Sequence, residues 1–140
     1  MASENEAFGY FVARVSEGRG AYPVEGTTVR LSSFDGSGAI RTLRTDSSGI
    51  TEKVELLTRP ADLSETPGEK KPYLTYNADV RKDGYYPTVI SNIPIFEGIT
   101  STLPVDMIPL PYGESPYDDG FDATRRFEVI PDSPLGGNDE

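Results

Sequence analysis

A chain of 140 residues is one domain's length, enough to bury about 68% of its unfolded surface on folding. It has no cysteine and no histidine, which excludes disulfides, thiolate metal sites and imidazole chemistry; catalysis would have to run on carboxylates, Lys, Tyr or Ser. A formal charge of −10 and a pI near 4.4 argue against a nucleic-acid partner, whose phosphates require clustered Lys and Arg.

Residues 1 to 7 read as a polar arm. Met1 to Glu6 is acidic where a signal peptide would be basic and then apolar, and no run approaches the roughly 18 apolar residues of a membrane span. The expectation is synthesis in the cytoplasm without a signal peptide, no membrane insertion, and a final location in a virion or other particle, or in a spore.

Phe8 to Val15 is a strand rich in aromatic and β-branched residues, with Phe11, Ala13 and Val15 on one face and Tyr10, Val12 and Arg14 on the other. Glycines 18 and 20 mark a loop, and Thr27 to Phe34 is a second strand with Val29 and Leu31 inward. Asp35-Gly36-Ser37-Gly38 turns the chain into Ile40 to Thr45. Thr45-Asp46-Ser47-Ser48-Gly49 is a further turn, whose Asp and Ser side chains bond back to the local backbone, and Thr51 to Leu57 follows with Val54 and Leu56 inward.

Thr58 to Pro72 is a long loop with three prolines and six charges. Tyr73 to Arg81 alternates again, placing Leu74, Tyr76, Ala78 and Val80 on one face and Tyr73, Thr75 and Asn77 on the other. Asp83-Gly84 is a turn, and Tyr85-Tyr86-Pro87 forms a lid over one end of the core. Thr88 to Asn92, a turn at Glu97-Gly98 and Ile99 to Leu110 complete about seven strands with turn signals every 8 to 12 residues. The fold expected is an all-β, seven-stranded antiparallel Greek-key sandwich spanning residues 8 to 111, followed by an acidic tail with no core-forming period over residues 112 to 140.

Gly9-Tyr10-Phe11-Val12, Tyr22-Pro23-Val24-Glu25-Gly26-Thr27-Thr28-Val29, the turn at residues 45 to 49, and Tyr76-Asn77-Ala78-Asp79-Val80 with Gly84-Tyr85-Tyr86 together resemble the carboxypeptidase regulatory-like group of transthyretin-like (prealbumin-like) sandwiches. The resemblance covers roughly residues 8 to 110 and implies fold more than function. Pro72 to Asn77, Gly84-Tyr85-Tyr86-Pro87, Ile95-Phe96-Glu97-Gly98 and Met107-Ile108-Pro109-Leu110-Pro111 are similar to a non-catalytic domain of Firmicutes spore-cortex-lytic-enzyme precursors and to short stand-alone bacterial and phage relatives. That likeness implies an accessory or assembly role.

No residue pattern marks a catalytic site, a metal site or a cofactor. Asp118-Asp119 with Glu114 and Asp122 is the densest acidic cluster, but its spacing does not match a calcium loop and reads as solvated tail. Asp35-Gly36-Ser37-Gly38 reads as a plain hairpin. A glycosidase needs two carboxylates across a cleft, and nothing singles out a pair among 23 acids. The transthyretin-like hydrolases of purine breakdown depend on histidine, so their mechanism is excluded. The isopeptide cross-link of collagen-binding B-type sandwiches needs a lysine where the first strand carries Arg14.

Tyr76 and Tyr85 read as core. Tyr73 and Tyr86, placed outward by alternation, are candidate partner contacts, as are the tail's Tyr112, Tyr117, Phe121, Phe127, Val129, Ile130 and Leu135. The function expected is that of a structural or adaptor module, not an enzyme, that joins other protein subunits or its own copies through sheet edges and terminal arms. The alternative is a carbohydrate or peptidoglycan-binding module using exposed tyrosines.

Overall fold

The computed structural model describes residues 7–33, 38–60, 73–111 and 123–130. The strands are β1 (Ala7–Glu17), β2 (Tyr22–Pro23), β3 (Thr28–Ser33), β4 (Ala39–Arg44), β5 (Val54–Thr58), β6 (Leu74–Arg81), β7 (Thr88–Ile95), β8 (Thr100–Met107) and β9 (Arg125–Glu128). They form two sheets. In the first, β1 is central, with β5 against its beginning, β2 against its end, and β8 along the other edge. The second runs β4-β3-β6-β7-β9.

Alternation decides which side of each strand turns inward. Phe11, Ala13 and Val15 of β1, Val29 and Leu31 of β3, and Val80 of β6 are fully buried between the sheets, joined by Val54 and Leu56 of β5 and Ile90, Ile93 and Ile95 of β7. The inward residues expected on β1, β3 and β5 are the ones found.

Three expectations are corrected. Among the described residues nine strands are found where seven were expected; the additional ones are β2, only two residues long, and β9, whose sequence RRFE carries one apolar residue and so has no alternation to read. Pairing is not wholly antiparallel, because β8 runs parallel to β1 and β9 parallel to β7. Each of these strands arrives from the opposite sheet, β8 after β7 and β9 after β8, and so is not held to the antiparallel pairing that a hairpin imposes. For the same reason no run of three hairpin-linked strands, the mark of a Greek key, occurs among the described residues: β3–β4 and β6–β7 stand as separate hairpins. The turn at Asp35-Gly36-Ser37 and most of the loop ending at Pro72 lie outside the described residues.

Buried threonines hold the layers together. The Thr58 hydroxyl, on the first sheet, donates to the Ile95 carbonyl at 2.5 Å and accepts from the Leu74 amide at 2.8 Å, both on the second sheet. Stripping such a group would strand buried polar partners at a cost of about 1–3 kcal/mol. Thr45 accepts from the Thr27 amide and donates to the Val24 carbonyl, fixing the entry to β3. The turn after it forms as its sequence predicts: Asp46 accepts from the Ser48 and Ile50 amides, while Gly49, at φ 77°, sits against the Val15 carbonyl where a side chain would not fit.

Among the described residues there is no helix, and so none long and apolar enough to cross a membrane.

Candidate partner-binding edge

The tight turn at Phe96–Ile99 delivers β8 to the margin of the first sheet. The Tyr10 amide donates to the Ile99 carbonyl at 2.9 Å. Alternation along the parallel ladder therefore turns the main-chain groups of Ser101, Leu103, Val105 and Met107 toward β1, and those of Thr100, Thr102, Pro104 and Asp106 away from it. Among the described residues no strand pairs with that outward edge. Pro104, which has no amide hydrogen, falls on the outward side, the position a sheet tolerates for proline.

Facing β8 across the sandwich is β9, at the margin of the second sheet. Between them runs a groove of about 410 Å³, floored by Ile90, Leu103 and Val105 and walled by Phe127 and Val129. Arg125 ties its two sides together: its Nη1 donates to the outward Asp106 carbonyl at 2.8 Å, and its guanidinium lies 5.0 Å from the centre of the Phe127 ring. Asn92 holds the end of β9 by donating to the Val129 carbonyl at 2.9 Å. Phe127 is 48% exposed and Ile130 68%, while Val129 packs on the core.

Of the candidate contact residues named from sequence, the fold brings Phe127, Val129 and Ile130 to this one side. Tyr73 does not face outward. It is buried, with its ring edge-on to Phe96 at 5.1 Å, because it precedes β6 and does not share that strand's alternation. Tyr86 is half-buried at the other end of the sandwich, where its amide donates to the Ile108 carbonyl. Tyr112, Tyr117, Phe121 and Leu135 lie outside the described residues, as do Glu114, Asp118, Asp119 and Asp122.

Tyr76 is buried as expected, and its hydroxyl donates to the Leu57 carbonyl; burial pushes its phenol above the ordinary value. Tyr85 packs on the core and donates to the Glu17 carboxylate, a bond that, with burial and the carboxylate's charge, raises its phenol too. Of Tyr73, Tyr76, Tyr85 and Tyr86, the first two are buried and Tyr85 packs against the core, which leaves little exposed tyrosine surface there. Among the described residues no group of three or more acidic side chains is placed to hold a metal ion.

No protein-family model matches the chain, and no curated protein matches it in sequence. Several solved structures share its architecture. The minor pilin GBS52 of Streptococcus agalactiae is similar over 80% of this chain and 49% of the pilin, with a TM-score of 0.55 and 18% identity. The TIE protein of Bacillus anthracis is similar over 74% of this chain and 17% of its own length, at TM-score 0.50 and 16% identity. An Acinetobacter catechol 1,2-dioxygenase is similar over 91% of this chain and 60% of the enzyme, at TM-score 0.52 and 12% identity. The chain therefore spans about half of the pilin and less than a fifth of the TIE protein.

The dioxygenase corrects one expectation from the sequence. An enzyme was set aside for want of histidine, cysteine and a marked carboxylate pair, yet the same arrangement of strands occurs in catechol 1,2-dioxygenases, so the fold gives no ground for that exclusion. At these identities the likenesses speak to architecture alone: the chain is a two-sheet β-sandwich of the kind found in the pilin, the TIE protein and the dioxygenase.

Proposed function

We propose that the chain is a structural module of a protein assembly, joined to neighbouring subunits by strand addition at the outward edge of β8. The observation that carries this reading is an edge strand of eight residues whose outward main-chain groups face no other strand of the described residues, beside a groove walled by the exposed Phe127. Unpaired edges template pairing with another chain, main-chain bonds supplying affinity and the flanking apolar pocket supplying selectivity. The resemblance to spore-cortex precursor domains and phage-encoded relatives, and the architecture shared with a minor pilin, support a cell-surface, spore or particle assembly as the setting. In this reading Phe127, Val129 and Ile130 are the contacts of the described residues, and a second copy of the chain is the simplest partner.

Thr102→Pro tests the proposal. Its amide points away from β1, so proline removes an outward donor and adds a steric block while sparing the β1–β8 ladder. Sedimentation equilibrium over a wide concentration range should show association of the parent chain, weakened at least about tenfold, or ~1.4 kcal/mol, in the variant, with the same thermal midpoint. A parent chain that stays monomeric throughout, or a variant that associates as the parent does, contradicts it.

A further inference from the structure

At the end of the second sheet where β7 begins, a cavity of about 590 Å³ opens between the start of β3, the end of β4 and the turn after β6, and its Pro87 wall is bonded to β9 through the Arg125 amide. Strand register builds it. Thr28 pairs with Arg44 on one side and Arg81 on the other, so the three side chains stand in a row on the outer face. Arg81 is turned toward Asp79, with Nε to Oδ1 at 2.7 Å. Arg44 and Lys82 turn instead toward Gly26. Lys82 Nζ lies 3.4 Å, and Arg44 Nη2 3.7 Å, from the point a Cβ on Gly26 would occupy. Gly26 adopts φ 78° in the turn before β3, and its missing side chain leaves the space over which the two cations converge.

Two positive groups drawn to one point repel each other, and a half-buried ammonium gives up part of its hydration as well. Arg44 has a long bond from Nη2 to the Gly26 carbonyl at 3.4 Å, and neither Arg44 nor Lys82 has a carboxylate partner among the described residues. Asp83, on the rim, is exposed and pairs with neither. This island stands in a chain of net charge −10, where most of the surface would turn an anion away.

We infer that the cavity is a binding site for an organic carboxylate, carried on an acidic polypeptide segment. A guanidinium fork and an ammonium set around one point match a carboxylate's oxygens. Pro87 and Leu110 give the cavity an apolar side next to Gly84 and Tyr85, which suits the carbon body behind the charge rather than a bare ion. The stretch from residue 81 to 87 supplies most of the lining, but Arg44 and Gly26, toward which its Lys82 turns, come from elsewhere in the chain. The cavity shares no lining residue with the groove between β8 and β9, and its test does not depend on association through the β8 edge.

The probes are a fluorescent peptide of alternating Glu and Gly, its Gln counterpart, and inorganic phosphate as competitor, read by fluorescence anisotropy with the full chain. The Glu peptide should bind and the Gln peptide should not. Lys82→Met and Arg44→Met should each weaken binding about tenfold or more, whereas Arg14→Met, which removes the same charge from the outer face of the other sheet, should change it less than twofold. Circular dichroism should show all three variants folded. Equal binding of the two peptides, no binding of either, displacement of the Glu peptide by low phosphate, or an Arg14→Met effect as large as that of Lys82→Met would each overturn the inference.

Discussion

Phe11→Ala is expected to cost about 3–5 kcal/mol of folding stability, a large part of the roughly 5–15 kcal/mol that keeps an ordinary domain folded. Phe11 is the largest fully buried side chain among the described residues, near the middle of the strand on which the first sheet is built. Its main chain pairs with Val54 on one side and Ser101 on the other, so the cavity left by alanine would open between elements that cannot all move in to fill it. Urea unfolding followed by tyrosine fluorescence should show the midpoint falling with an unchanged slope. A loss below about 1 kcal/mol would mean that the ring does not occupy a packed interior.

Gly9→Ala is the second large effect, and it acts on the backbone. A Cβ at this position would lie 2.2 Å from the Phe96 carbonyl oxygen and 2.7 Å from Ile95 Cγ2. The obstructing carbonyl belongs to the crossing that lets β8 reach the margin of the first sheet, held by the Gly98 amide donating to the Phe8 carbonyl and the Tyr10 amide to the Ile99 carbonyl, each at 2.9 Å. Relief would require the crossing to lift from β1, so a loss of at least about 1–3 kcal/mol is expected. Faster amide exchange at Gly98 and Tyr10 should accompany it, showing that the crossing itself has loosened. A variant as stable as the parent, with those amides unchanged, would show that the close approach of Gly9 to Phe96 is not a feature of the fold.

Much of the sandwich was legible because its strands alternate. Phe11, Ala13 and Val15, or Val29 and Leu31, announce an inward face through apolar residues two apart, and the turn at Asp46–Gly49 announces itself through side chains that bond their own backbone. Strand direction was not legible. Nothing in Thr100–Met107 says that it will lie parallel to β1, because that depends on where the Phe96–Ile99 crossing sets the chain down. Tyr73 was misplaced by extending alternation one residue beyond the strand that enforces it. β9 was missed because an edge strand covered on one side needs few apolar residues; Phe127 and Val129 were marked as contacts without the strand that presents them. The cationic cavity was invisible for a related reason: register, not proximity in sequence, brings Arg44 and Lys82 together.

Residue-resolved amide exchange bears most directly on the open edge of β8. In dilute solution the amides of Leu103, Val105 and Met107, which face β1, should exchange slowly, and that of Thr102, facing outward, should exchange fast; at concentrations where the chain associates, Thr102 should slow to match them. Thr102 protected already in the dilute monomer, or still fast in the associated form, would contradict an edge left open for a neighbouring strand.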